Sequence, residues 1–142
     1  MSKASVDWVI LEDVALICSS QGDVPHDRWL ELMNEMRAHR VSRCIGAALG
    51  QVHLTSIQRK QASEIADQLQ LMSAVVTDEK IVRAYTTALS WVGVQIKSFA
   101  WADLDEAVRY LKLSPATAER AEQEMRELRA RVQRAMGGMR SA

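Results

Sequence analysis

The sequence predicts an α/β domain: a mixed, mostly parallel sheet packed with helices, closed by a long C-terminal helix. Three observations predict it. Short β-rich apolar runs alternate with segments of helical periodicity, as parallel sheets with right-handed crossovers require. The first two runs are separated by only two polar residues, which sets one antiparallel strand at or near an edge. The chain has 142 residues with 48% hydrophobic and 25% charged positions, the composition of a single globular domain.

Val6 to Leu11 and Val14 to Ser19 are β-rich runs flanking Glu12 and Asp13, a hairpin signal. The second run is the more apolar and is expected to lie more centrally. Gly22, Asp23, Val24 and Pro25 punctuate the chain, with Pro25 and Asp23 suited to a helix start. The first helix is expected to reach about His39 and to bury Trp29, Met33 and Met36. Cys44 to Gly50 reads as a buried strand of small residues.

Thr55 and Gln58 form a capping-box spacing, in which each side chain meets the other's backbone N–H. Ile57, Ala62, Ile65, Ala66 and Leu69 supply the inner stripe of the second helix. Leu71 to Val76 reads as the next strand. Asp78 is the expected N-cap of a third helix with the stripe Ile81, Val82, Tyr85, Ala88, Leu89 and Val92, ended by Gly93. Val94 to Phe99 alternates as an outer strand. Residues 102–111 form a short helix with Leu104, Ala107, Val108 and Leu111 turned inward. Ser114 and Pro115 open the last helix, expected to end near Gly137 and Gly138. We divide the chain into residues 1–113 and a C-terminal amphipathic helix over 114–142.

That last helix carries Ala118, Ala121, Met125, Leu128, Val132, Ala135 and Met139, a seam with a period of about 3.5 residues. Glutamates fill its first half and arginines its second, complementing the helix dipole. Glu122–Arg126 and Glu127–Arg131 are favourable i,i+4 pairs. The seam packs on its own domain, pairs across a homodimer or docks a partner. Trp101, Met125, Leu128 and Val132 are the candidate interaction surface. Four tryptophans against one phenylalanine also fit an apolar cavity or an interface.

Eighteen basic and 18 acidic residues leave no net charge for phosphate backbones, so no nucleic-acid partner is expected. No signal peptide and no membrane span are expected, which points to a cytoplasmic protein without stable membrane insertion. Cys18 and Cys44 read as small buried hydrophobes, and His26, His39 and His53 are dispersed, so no metal site and no cofactor are expected. No phosphate loop, dinucleotide fingerprint or nucleophile elbow is present. His53, Asp78 and Ser56 fall near expected strand ends, where a hydroxyl–imidazole–carboxylate chain would form a hydrolase-type site.

The order of elements, together with Gln58-Arg59-Lys60, Ala74-Val-Val-Thr-Asp78, Val82-Arg83, Thr87-Ala-Leu-Ser-Trp91, Ile96-Lys-Ser-Phe99 and Asp105-Glu-Ala-Val-Arg-Tyr-Leu111, resembles the STAS-like fold. More narrowly it resembles the SpoIIAA-like family of small bacterial proteins, grouped with the CRAL-TRIO lipid-binding fold. The resemblance covers about 100 residues and is strongest over 55–111; it bears on fold more than function. It implies a non-enzymatic regulatory or protein-interaction module, expected to act as a homodimer or with a protein partner through the second, third and terminal helices. The CRAL-TRIO relation implies an alternative, a small carrier of a lipid or other apolar ligand. The regulatory branch carries a phosphorylatable hydroxyl where this chain has Thr55 and Ser56. Its Asp-Ser-x-Gly pattern is replaced here by His53-Leu-Thr-Ser-Ile57.

Overall fold

The computed structural model describes residues 2–83 and 95–141, with side chains over 2–83 and 95–137. Five strands form one sheet in the order β1-β2-β3-β4-β5. They are β1 (Val6–Leu11), β2 (Val14–Asp23), β3 (Arg43–His53), β4 (Met72–Val76) and β5 (Ile96–Phe99). β1 is antiparallel to β2, and the other neighbours are parallel. This is the mixed, mostly parallel sheet expected from the element order. Helix α1 (His26–Ala38) joins β2 to β3, and α2 (Ser56–Leu69) joins β3 to β4.

A helical turn begins at Lys80. The remainder of the expected third helix, with Tyr85, Ala88, Leu89, Val92 and the stop at Gly93, lies outside the described residues, as do Trp91 and Val94. After β5, a 3-10 turn at Trp101–Asp103 leads into α3 (Leu104–Tyr110), then α4 (Pro115–Ser141).

The period of two along the strands divides the core into two layers. Val14, Leu16 and Cys18 of β2, with Ile45 and Ala47 of β3, face α3 and α4. Ala15 and Ile17, with Cys44, face α1 and α2. Trp29, Met33 and Met36 are buried on α1 as expected, with Leu32 beside them. Leu104, Ala107, Val108 and Leu111 are likewise turned inward. The result is a three-layer α/β/α arrangement in which α4 lies across β1 and β2.

That position decides the fate of the terminal seam. Ala121, Met125 and Leu128 are 0% exposed and Val132 is 1% exposed. All four share one apolar cluster with the sheet, across the division drawn after Leu113. Of the candidate interaction surface, Met125, Leu128 and Val132 are thus covered by the chain's own sheet, and Trp101 is 8% exposed in the same cluster. The physical reason is the second sheet face: without α4, Val14, Leu16 and Cys18 would meet water. Past Val132 the buried stripe steps to Met136 rather than Ala135, which is exposed, because a straight helix repeats every 3.6 residues. Arg131 does not pair with Glu127; its Nε meets Asp7 Oδ2 of β1 at 3.0 Å. Glu122 and Arg126 pair as expected, at 2.8 Å.

Several boundaries differ from expectation. β2 and β3 run on to Asp23 and His53, because their polar ends keep pairing with each other and with Ser2 to Ala4. Gly22 has φ 130°, and a Cβ there would lie 2.2 Å from the Ser2 carbonyl oxygen, so only glycine fits this approach. Asp23 therefore ends a strand, and α1 starts after Pro25 with no side-chain cap. The terminal helix continues through Gly137 and Gly138 to Ser141.

Candidate functional site

Four parallel strands end on one side of the sheet, where open α/β folds place their ligands. β4 stops at Val76 while its neighbour β3 continues beyond their last pair, Ala47 with Val76. The next β3 residue, Ala48, has its carbonyl oxygen taken by the indole Nε1–H of Trp101 at 2.9 Å. The Trp101 backbone N–H donates to Asp78 Oδ1 at 3.1 Å. Thr77 is fully buried; its N–H donates to Phe99 O, and its hydroxyl accepts from Glu79 N–H at 3.1 Å. Two strand ends and one indole thus fix the turn that opens α3.

Above this turn Arg129 of α4 sets its guanidinium carbon 4.4 Å from the Trp101 ring centroid, a cation–π contact. Beside the pair is a cleft of about 320 Å³ lined by Trp101, Ala102, Leu104, Asp105, Glu122, Arg126 and Arg129. Charged side chains dominate its wall, whereas an apolar carrier cavity would be lined by hydrophobic groups. In the sequence Arg129 reads only as one of the arginines that fill the second half of the terminal helix. Its position four residues after Met125, on the shoulder of the buried stripe, was the available signal.

The second feature is the start of α2. Thr55 Oγ1 accepts from Gln58 N–H at 3.1 Å, and Gln58 Oε1 accepts from Thr55 N–H at 3.0 Å, completing the capping box. Gln58 is 1% exposed, and its Nε2 donates to Val24 O at 3.1 Å. The Thr55 hydroxyl is engaged, and Thr55 and Ser56 both lie at the surface. Ile57 and Ile81 were expected on buried stripes. They are instead 62% and 79% exposed, each in the first turn of its helix. Residue spacing alone had placed them inside.

Of the residues expected to form a hydrolase-type chain, His53 and Asp78 are otherwise engaged and Ser56 is exposed. His53 Nδ1 lies 2.8 Å from Asp23 Oδ1, on paired strand ends. Asp78 holds the Trp101 turn. Among the described residues no hydrogen bond joins Ser56 to His53, and no cluster of three His, Cys, Asp or Glu is placed to hold a metal. Cys18 and Cys44 are buried free thiols, each pushed up to about 12 by burial; Arg129 pulls Cys18 the other way, and burial prevails. Trp8 and Trp29 also donate their indole N–H groups, to Glu35 at 2.7 Å and Gln61 at 2.8 Å. Among the described residues no helix is long and apolar enough to cross a membrane. No protein-family model matches the chain, and no curated protein matches it.

Proposed function

We propose that this chain is a non-enzymatic, STAS-like interaction module of the cytoplasm that engages a protein partner at the start of α2 and at the helical turn that begins at Lys80. The carrying observation is the exposure of Ile57 and Ile81, two large apolar side chains in the first turns that follow neighbouring strands β3 and β4. Among the described residues both sheet faces carry helices of the chain, and Leu30, the third exposed large apolar side chain, is 40% exposed. Exposed apolar residues ringed by charge are the composition of a protein-docking site. Lys60 and Lys80 are exposed beside the two isoleucines, so the complementary partner segment sets acidic groups next to apolar ones. Ser56 directly precedes Ile57 in the first turn of α2, and a phosphate there would reverse the local charge and weaken such a partner.

The test is a double substitution, Ile57→Asp with Ile81→Asp. A protein captured by the wild-type chain is identified, purified and titrated against both forms. The reading predicts at least a tenfold weaker complex for the double variant, with its melting temperature unchanged. Equal binding by the two forms would remove the docking site. Native mass spectrometry showing a co-purified apolar molecule would favour the carrier, and an intrinsic dimer dissociated by the substitutions would make the partner a second copy.

A further inference from the structure

We propose that the cleft between the Trp101 turn and α4 binds a small organic or inorganic oxyanion, a carboxylate or phosphate group, with Arg129 as the residue that takes its charge. This inference uses different residues from the Ile57–Ile81 surface and stands or falls without it.

The argument is an account of charge. Four ionisable side chains line the cleft: Asp105, Glu122, Arg126 and Arg129. Glu122 Oε1 already pairs with Arg126 Nη2 at 2.8 Å, and Asp105 Oδ2 pairs with Arg109 Nη2 at 3.2 Å. Arg129 is left over. Among the described residues no carboxylate, carbonyl or hydroxyl accepts a hydrogen bond from it, and its Nε is buried with no partner. Its one described contact partner is the Trp101 ring.

A guanidinium carries five N–H donors and is rarely left half-buried without an acceptor, since unmet donors are costly away from water. Stacking on an indole satisfies part of its charge and none of its N–H groups. It also holds the side chain in place before a ligand arrives, so that a fork of donors stands ready for two oxygens of one anion. The positive charge is felt nearby, where Arg129 opposes the rise of the Cys18 pKa. The volume of about 320 Å³ matches the small end of ligand pockets. Ala102, Leu104 and Trp101 give such a ligand an apolar wall.

The cleft lies against Trp101, so its occupancy can be read from tryptophan fluorescence. The full chain is titrated with inorganic phosphate and, separately, with benzoate, against sodium chloride at equal ionic strength. We expect a saturable fluorescence change with one of the two anions, together with a rise in Tm of about 3 °C or more near saturation. The phosphate and carboxylate arms distinguish the two sources of the oxyanion. Arg129→Met should abolish both signals while melting no lower than the unliganded wild type. Arg129→Lys, which keeps the charge but loses the fork, should weaken binding about tenfold or more; it also serves if the Met variant fails to fold. Absence of a saturable response to both anions overturns the proposal, as does a response undiminished in the Arg129 variants.

Discussion

Leu128→Ala tests whether the terminal helix belongs to the core. Leu128 is 0% exposed and sits in one cluster with Leu16, Cys18 and Ile45 of the sheet. Truncation to Ala removes three carbons, worth about 2.4 kcal/mol at roughly 0.8 kcal/mol per buried carbon. The cavity left between helix and sheet raises the total to about 3–4 kcal/mol. With a urea m-value of about 2 kcal/mol/M, the unfolding midpoint should fall by about 1.5–2 M. Circular dichroism at 222 nm follows the transition, and solution mass is measured alongside. Glu127→Ala, one residue away and exposed, should change stability by less than about 0.5 kcal/mol. The reasoning is refuted if Leu128→Ala shifts the midpoint by less than about 0.3 M, or if its main effect is to halve the mass of a dimer.

Thermal unfolding of Thr55→Ala should show a loss of about 1 kcal/mol, the usual worth of an N-cap. Gln58→Ala should cost about 2–3 kcal/mol, because it leaves the Val24 carbonyl and the Thr55 N–H without their partners. The double variant should lose less than the sum, since the two side chains complete one box; strict additivity would speak against it. The buried thiols should stay unreactive toward Ellman's reagent at pH 8 until the chain unfolds, and two fast-reacting thiols in the native protein would contradict their burial. Each folded pKa of about 12 stands above the unfolded 9.0, so the native state holds these protons more tightly. Their contribution to stability is complete below pH 9 and is lost as pH rises toward 12; urea midpoints across that window should fall less steeply in a Cys18→Ala, Cys44→Ala variant.

The sheet was legible because strands and helices announce themselves by different periods. Val14, Leu16 and Cys18 alternate with Ala15 and Ile17, and both sets find a helix layer. The capping box was legible for the same reason, as Thr55 and Gln58 need only local geometry. What α4 faces was not. A stripe of Ala121, Met125, Leu128 and Val132 reads the same whether it meets a sheet or a second chain, and only the uncovered face of β2 distinguishes the two. The polar extensions of β2 and β3 were hidden because backbone pairing, not side-chain pattern, resumes past an irregularity at Gln21 and holds Gly22 and Asp23 to Val52 and His53. The exposure of Ile57 and Ile81 was hidden too, since periodicity assigns a face but not whether a first turn on that face is covered. The Trp101–Arg129 pair joins residues 28 positions apart, beyond the reach of any local spacing rule.

Hydrogen exchange on the full chain addresses the three-layer arrangement most directly. Amides of residues 121–132 should exchange only through global opening, with the same free energy as those of residues 14–18 in β2. A helix not packed on the sheet would exchange by local fraying rather than by global opening. Exchange of 121–132 within seconds, while β2 stays protected, would show that the terminal helix is not a layer of this domain.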